Sequence, residues 1–163
     1  MAKVVLKLGD DISTDIIYPG RYMATVLPSE TPLFAFADST ELNAQVKAGA
    51  FAPGSVIVAG KNFGCGSSRE QAASCLKGAG LVVIARGFAR IFFQNAVNLG
   101  LPAVICPTIE ASEGDELVLG ATEIVNETTG RSFPTTPLPK ARQAIIDAGG
   151  LIAYTRKRVM AKR

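Results

Sequence analysis

The 163-residue sequence contains no histidine and no tryptophan. The lack of histidine excludes, within this chain, Ser–His–Asp and Cys–His catalysis, histidine metal sites and proton relays through imidazole. Acid–base chemistry must therefore use Ser, Tyr, Lys, Asp, Glu or Cys side chains, or groups that another subunit supplies.

Cysteine is also scarce, and the three present are Cys65, Cys75 and Cys106, with no CxxC pair among them. An odd number at wide spacing argues against a disulfide framework and against a zinc or iron–sulfur site built by this chain alone. We expect free thiols that are buried or partly buried. Cys65 differs from the others because it lies inside the glycine-rich motif described below.

The sequence has no apolar stretch approaching the roughly 20 residues that a membrane-spanning helix needs. The N-terminal run MAKVVLK soon meets Asp10 and Asp11, so it does not resemble a secretory signal, and we expect a cytoplasmic protein. The composition, 48% hydrophobic and 19% charged, is that of a globular protein, and the length suits a single domain over residues 1–163.

The net charge is only +3, and five of the 17 basic residues fall in the last eight positions, 156–163. We interpret this segment as a solvated basic tail. Nucleic-acid binding usually interleaves basic and aromatic residues, and Tyr154 alone is weak support, so we expect no nucleic-acid partner. We expect no membrane partner either.

Three short apolar runs predict buried parallel strands at residues 55–59, 81–85 and 103–106. Helices are predicted between them at 67–79 and 88–99, each followed by a glycine. The resulting βαβαβ order predicts a parallel core sheet with right-handed crossovers.

The flanking regions are more β-like, with strands predicted at residues 4–8, 116–119, 123–126 and 151–155. Pro139 opens a helix that is expected to run to Ala148, before Gly149-Gly150. Residues 20–50 show weak periodicity, and we interpret them as a functional loop followed by short helices.

The most informative segment is residues 60–70, GKNFGCGSSRE, between a predicted strand and a predicted helix. Its glycines, Gly60, Gly64 and Gly66, permit the close backbone approach that an anion site needs. Their spacing, G-x-x-x-G-x-G, fits neither the P-loop nor the dinucleotide-binding fingerprint.

The same segment ends in S-x-x-E, which fits a capping box with Ser67 at the N-cap and Glu70 three residues later. This would place Ser68 and Arg69 in the first helical turn, where unpaired N–H groups and the helix dipole favour an anion. An arginine can also bind a carboxylate through two parallel hydrogen bonds. The pattern therefore predicts an oxyanion site, although Ser67 acting only as a cap remains an alternative.

Four segments in order resemble the small subunit of 3-isopropylmalate dehydratase. They are GDDISTDIIYP at 9–19, GKNFGCGSSRE at 60–70, ARGFARIFFQN at 85–95 and NLGLP at 98–102. The match spans roughly residues 4–107. Homoaconitase small subunits and the mobile C-terminal domain of aconitases share these motifs, so the superfamily is better determined than the substrate.

The resemblance implies an α/β fold, a swivelling β/β/α domain with a parallel βαβαβ core sheet flanked by helices and additional strands. Such a domain closes over a [4Fe–4S] cluster held by the cysteines of a large subunit, and this chain itself is expected to bind no cofactor. The implied activity is a hydro-lyase of leucine biosynthesis that interconverts 2- and 3-isopropylmalate by dehydration and rehydration, active only with the large subunit.

The resemblance also assigns roles to individual residues. Ser67 is the base that removes a proton from the carbon next to a substrate carboxylate, while Ser68 and Arg69 bind that carboxylate. A serine hydroxyl is a weak acid, so nearby N–H groups and Arg69 would have to stabilise its alkoxide. Supporting positions are Gly64, Cys65, Gly66, Lys61 as a second positive charge, and Asp15 as an organiser of the loop that faces the substrate.

The sequence departs from the family pattern at two positions. Gln71 stands where a histidine usually follows S-S-R-E. In the substrate loop, which includes Tyr22, Ala24 and Thr25, homoaconitases tend to carry an arginine at the position of Ala24 to meet a third carboxylate. Ala24 therefore favours a dicarboxylate with a small apolar substituent: isopropylmalate first, then a citramalate- or dimethylmalate-like acid.

Other interpretations stay open at this stage. A homoaconitase-type tricarboxylate is an alternative substrate, and a non-catalytic anion-binding regulatory module is an alternative of another class. Tyr22 and Met23 could simply pack the loop. Two further groups have ordinary structural explanations, as turn residues (Asp10, Asp11, Thr14 and Asp15) or as core and helix-packing residues (Phe92, Phe93 and Asn95).

Overall fold

A computed structural model describes residues 1–161 and contains a mixed sheet of seven strands in the order β4-β3-β2-β1-β5-β6-β7. The strands are β1 (Ala2–Lys7), β2 (Val56–Ala59), β3 (Val82–Ala85), β4 (Ala103–Ile105), β5 (Glu116–Leu119), β6 (Glu123–Asn126) and β7 (Arg131–Pro134). The helices are α1 (Thr14–Ile17), α2 (Thr40–Lys47), α3 (Glu70–Gly78), α4 (Arg90–Leu99), α5 (Lys140–Asp147) and α6 (Leu151–Met160). Short 3₁₀ turns occur at Gly20–Tyr22 and Thr31–Phe34.

The first four strands form the parallel half of the sheet, with α3 and α4 as the crossovers between β2, β3 and β4. This confirms the predicted βαβαβ core. Every residue of β2 and β3 is buried, because the helices cover one face of these strands and the antiparallel half of the sheet curls over the other. Fully apolar strands are what such two-sided burial requires.

The other half of the sheet is antiparallel and is joined to the first through the pairing of β1 with β5. The hairpin of β5 and β6 forms as predicted. The sheet curves until a bridge between Ile105 and Thr136 links its two ends. Side chains from β1 to β7, together with Cys106, Ile109 and Ala111, form a second core cluster inside this curve.

Strand β7 was not predicted, and its sequence, RSFP, explains why. Pro134 has no N–H to donate to a ladder, so a proline within a strand indicates an edge position. In the sheet, β7 lies at the end of the order and pairs with β6 alone. The buried side chain of Phe133 is what attaches it to the core.

The predicted strand at 151–155 is wrong, because these residues begin helix α6. The bridge between Ile105 and Thr136 already joins the two ends of the sheet, which leaves this run no ladder to extend. Gly150 also lies so close to the end of α4 that a Cβ there would meet the Asn98 carbonyl oxygen at 2.8 Å. Short apolar runs suit a strand or a helix equally well, and here helix packing decides.

The basic tail begins on α6, where Arg156, Lys157 and Arg158 are exposed to solvent. The Arg158 guanidinium lies 5.6 Å from the centre of the Tyr154 ring. Lys162 and Arg163, the last two residues of the predicted tail, lie outside the described residues. Across residues 1–161, the helices are too short or too polar to cross a membrane.

Candidate active site

Two loops run side by side at the carboxyl ends of β1 and β2, which is where α/β sheets commonly bind ligands. The Gly64 N–H donates to the Ile12 carbonyl over 2.7 Å, and the Thr14 N–H donates to the Cys65 carbonyl over 2.8 Å. These contacts bring the segment containing Asp10–Thr14 against the glycine-rich motif. Two motifs that are some fifty residues apart in sequence are therefore one structural unit.

The acidic residues after β1 have structural roles in this unit. The Asp10 carboxylate accepts the backbone N–H of Lys61 over 2.7 Å, and the Asp11 carboxylate accepts the Asn62 side-chain amide over 2.7 Å. Lys61 itself is exposed, and its backbone is held against this loop. Its role as a second positive charge stays a prediction.

The glycines of the motif are required by close contacts as well as by backbone conformation. A Cβ at Gly60 would lie 1.9 Å from an Asp10 carboxylate oxygen, and a Cβ at Gly64 would lie 2.2 Å from the Phe92 ring. Gly64 and Gly66 have φ of +82° and +96°, in the region that favours glycine. The backbone path through these glycines thus brings Ser67 against Thr14 of the neighbouring loop.

Replacing Gly64 by alanine tests this packing. We expect the free energy of unfolding to fall by about 3 kcal/mol or more, from left-handed backbone strain combined with a clash in a packed core. Gly130→Ala is the matched control, since Gly130 has φ of +70° with no atom near its missing Cβ. That control should lose only about 1–2 kcal/mol. Equal losses in denaturant titrations of the two variants would contradict the packing argument.

Ser67 is an exposed residue, and its hydroxyl contacts Thr14 in the loop that follows β1. Its Oγ lies 3.1 Å from the Thr14 Oγ1, and its backbone N–H donates to the same Thr14 oxygen over 3.2 Å. Thr14, by contrast, is only 1% exposed. The sequence analysis treated Thr14 as a turn residue, so this pairing is a finding of the structure.

The predicted capping box is wrong, because α3 begins at Glu70 with Arg69 as its N-cap and no side chain caps it. Ser67 is held outside the helix by Thr14, and the Ser68 carbonyl accepts the Asn95 side-chain amide over 3.3 Å. The first-turn N–H groups of α3 therefore have no side-chain cap. Asn95, expected only to pack the helix, contacts the site, whereas Phe92 and Phe93 are buried as expected.

The Arg69 guanidinium is held against the segment that contains Asp15, Tyr18 and Gly20. Its Nη1 donates to the Asp15 carboxylate and, over 3.3 Å, to the Tyr18 carbonyl, and its side chain is only 14% exposed. Nη2 also lies close to Gly20, where a Cβ would meet it at 3.0 Å, so a side chain at this position would have to displace the guanidinium slightly. Within residues 1–161, the buried Nε has no hydrogen-bond partner.

The ion pair also sets the protonation state of Asp15. The hydrogen bond from Arg69 lowers the pKa of the Asp15 carboxyl below its usual range, against a smaller opposing effect of burial. A carboxylate that is ionised at all physiological pH values keeps Arg69 in one position. Asp15 thus contacts the arginine directly, while its role in ordering a loop that faces the substrate stays a prediction.

The loop at residues 20–27 is attached to the site through its backbone. The buried Tyr18 hydroxyl donates to the carbonyls of Tyr22, over 3.1 Å, and of Thr25, over 3.4 Å. The Gln71 side-chain amide donates to the Met23 carbonyl over 3.1 Å. Gln71, which replaces the usual histidine, therefore connects the first turn of α3 to this loop.

Side chains in this loop fall into two groups. The Tyr22 ring stacks on Phe34 with centroids 4.4 Å apart, and Arg21 covers Tyr22 while bonding Asp38 over 2.5 Å. Ala24 is exposed and Thr25 is half-buried. The Tyr22 ring thus packs within the loop, and the substrate-binding roles of Tyr22, Ala24 and Thr25 stay predictions.

The three thiols differ in exposure. Cys65 is half-exposed next to the site, while Cys75 and Cys106 are buried, and burial raises the pKa of both buried thiols. Residues 1–161 contain no group of three or more Cys, Asp or Glu side chains placed to hold a metal ion.

Comparison with known proteins identifies the architecture. The family model for the aconitase C-terminal domain matches residues 40–107, which include Ser67, Ser68 and Arg69. A crystal structure of 3-isopropylmalate dehydratase from Methanocaldococcus jannaschii superposes with a TM-score of 0.87 at 38% identity, covering 98% of this chain and 95% of that one.

Several curated proteins match over nearly the whole sequence. The 3-isopropylmalate dehydratase small subunit of Thermodesulfovibrio yellowstonii is 44% identical over 95% of this chain and 93% of its own length. Small subunit 2 of Archaeoglobus fulgidus is 47% identical over 93% and 92%. The isopropylmalate/citramalate isomerase small subunit of M. jannaschii is 45% identical over 95% and 93%. The fold, the site motif and these full-length matches together show that the chain belongs to the 3-isopropylmalate dehydratase small-subunit family of the aconitase superfamily.

Proposed function

We propose that this chain is the small subunit of a heteromeric hydro-lyase that interconverts 2-isopropylmalate and 3-isopropylmalate in leucine biosynthesis. The observation that carries the proposal is the exposed Ser67 hydroxyl, hydrogen-bonded to Thr14 and adjacent to the Ser68–Arg69 pair. A regulatory anion-binding module would use the arginine and the helix terminus, but it would have no need of an exposed hydroxyl bonded to a buried one.

In this proposal Ser67 acts as the base. Its Oγ, as an alkoxide, takes the proton from the carbon next to a substrate carboxylate, and the electron pair of that C–H bond moves into the forming double bond as hydroxide leaves. Ser68 and Arg69 hold the carboxylate while negative charge builds up on it. In rehydration Ser67 returns the proton to the carbon that lost the hydroxyl, and a hydroxyl adds to the carbon that lost the proton, so the hydroxyl has moved to the neighbouring carbon.

The site needs a partner to be complete. Ser67 and Ser68 are exposed, and water at an open site weakens the electrostatic effects that would stabilise an alkoxide. Exposed apolar residues lie next to the site groups: Ile16 follows Asp15 on α1, and Ile91 lies one turn before Asn95 on α4. We propose that the large subunit covers this surface and supplies the cluster that assists departure of the hydroxyl.

The substrate loop supports a dicarboxylate. Ala24 offers no charge to a third carboxylate, and the nearby Arg21 is already paired with Asp38 and stacked on Tyr22. An apolar side chain at this exposed position suits a small apolar substituent on the acid. A citramalate- or dimethylmalate-like acid is the second candidate, because one relative is named as an isomerase of both isopropylmalate and citramalate.

Reconstitution with the cluster-bearing subunit tests the proposal. We expect the isolated chain to show no isopropylmalate turnover, and the mixture to show turnover that saturates at a fixed ratio of subunits. Homocitrate-type tricarboxylates should be used poorly by the same mixture. Turnover by the isolated chain would refute the division of labour, and preference for the tricarboxylate would refute the role of Ala24.

A further inference from the structure

The buried Thr14 hydroxyl makes two contacts with the same residue. Its Oγ1 accepts the Ser67 backbone N–H over 3.2 Å and lies 3.1 Å from the Ser67 Oγ. These two residues are separated by 53 positions in sequence. Thr14 therefore contacts both the backbone N–H and the Oγ of the proposed base. Because the Thr14 hydroxyl also carries a proton, it can donate a hydrogen bond to the Ser67 Oγ.

Thr14 is held rigidly where it makes these contacts. Its backbone N–H donates to the Cys65 carbonyl over 2.8 Å, and its carbonyl accepts the Tyr18 N–H over 2.8 Å. A Cβ on Gly66 would lie 3.4 Å from the Thr14 Oγ1, so the glycine turn packs directly on this hydroxyl. A side chain fixed in this way can meet a developing charge without first reorganising.

The direction of the hydroxyl–hydroxyl bond changes with the state of Ser67. When Ser67 is neutral, either hydroxyl can donate to the other. When Ser67 has lost its proton, only the Thr14 hydroxyl can donate in this contact, and the Ser67 Oγ is then its acceptor. Hydrogen bonds to a charged acceptor are stronger than those between neutral groups, so the contact favours the alkoxide.

We propose that Thr14 is a positioning residue that orients the Ser67 hydroxyl and stabilises its alkoxide by donating a hydrogen bond to it. This inference rests on the proposed function, because it assumes that Ser67 is the base. It supplies a source of stabilisation that the predicted capping box would have provided and that the actual start of α3, three residues after Ser67, does not.

Several charged and titratable residues lie close to Thr14 or Ser67 in sequence and would contribute to any pH profile. They are Asp15 on α1, Cys65 in the glycine-rich loop, Arg69 at the N-cap of α3 and Glu70 in its first turn. Each is retained in the variants below. A change in pH dependence between those variants therefore reports the Thr14 hydroxyl.

The test replaces Thr14 by valine, which keeps the shape and removes the hydroxyl, and by serine, which restores it. With the large subunit added, Thr14→Val should lower kcat/KM for isopropylmalate about 10- to 100-fold. The rise of kcat/KM with pH should move to higher pH, since the base ionises less readily. Thr14→Ser should recover most of the activity and the original pH profile.

Thr31→Val is the matched control, because Thr31 is also buried and its hydroxyl lies 3.0 Å from that of Ser74. It should lose stability without a shift in the pH profile. The inference would be overturned if the Thr14→Val enzyme kept the pH profile of the parent. It would also be overturned if both valine variants lost kcat/KM in proportion to their loss of melting temperature. Full activity of Ser67→Ala would remove Ser67 as the base, whereas a parent mixture without isopropylmalate turnover would overturn the proposed function, so these failures can be told apart.

Discussion

Ser67→Ala should reduce kcat of the reconstituted enzyme by a factor on the order of 10² to 10⁴, the range expected when a general base is removed. The substitution deletes one exposed oxygen and keeps the backbone N–H that donates to Thr14, so folding should be little affected. Steady-state kinetics with isopropylmalate, combined with a binding measurement, would separate lost chemistry from lost affinity. We expect the loss mainly in kcat.

Ser132→Ala provides the control for this variant. Ser132 is another exposed serine, on the edge strand β7, and its replacement should leave kinetics unchanged. A Ser67→Ala enzyme that keeps more than about a tenth of its turnover would remove general-base catalysis from Ser67. Another group would then have to act as the base, and the exposed Ser67 hydroxyl would no longer support the proposed function.

Arg69→Lys should lower kcat/KM on the order of 10²-fold, although the positive charge is retained. A lysine presents one compact ammonium group, whereas the planar guanidinium contacts Asp15 and the Tyr18 carbonyl through one Nη and offers the fork of donors that suits a carboxylate. We expect both a higher KM and a lower kcat, since the carboxylate carries more negative charge as the proton leaves. Initial-rate measurements over a range of isopropylmalate concentrations would show both changes.

Arg131→Lys is the comparison for that experiment. Arg131 also pairs with a carboxylate, Glu110, but both side chains are more than half exposed, and the pair lies on β7 and the segment before β5. Exposed ion pairs contribute little, so this variant should behave as the parent enzyme. Equal effects of the two lysine variants would mean that Arg69 acts through general charge, and the proposed carboxylate contact would be refuted.

The pH dependence of the Asp15–Arg69 pair follows from the direction of the Asp15 shift. A carboxyl whose pKa is lowered in the folded state gives a contribution that is present above its ordinary pKa, about 3.9, and lost as pH falls through the lowered value. Arg69 should therefore keep its orientation throughout the neutral and mildly acidic range. Losses of activity in that range belong to other groups.

Much of the architecture follows from local sequence patterns. The apolar runs that became β2, β3 and β4 and the helical spacing of α4 repeat over a few residues, so they can be recognised without knowing the fold. The hairpin of β5 and β6 was predicted at its actual bounds. A short apolar run that suits a helix and a strand equally well was less informative. The run at the start of α6 is an example, because packing in the folded chain decided between the two.

The boundaries at the site depended on contacts that no local pattern contains. The S-x-x-E spacing is compatible with a capping box, yet the contact of Ser67 with Thr14 and the turn at Gly66 keep the serine outside α3. The partners of Arg69 are likewise distant in sequence, with Asp15 separated from it by 54 positions. Such pairs become neighbours only when β1 and β2 lie side by side.

The sequence by itself limited which chemistry is open to this chain: without histidine, acid–base chemistry must use Ser, Tyr, Lys, Asp, Glu or Cys side chains, or groups of another subunit. It also determined the parallel core that displays the G-S-S-R segment, because strand and helix periodicity are properties of short stretches. Tertiary structure alone decided that the buried Thr14 contacts Ser67 and that Asp15 pairs with Arg69. It also decided that the Gln71 side chain donates to the Met23 carbonyl in the loop at residues 20–27. These pairings depend on which loops the strand order brings together, and local sequence patterns do not determine that order.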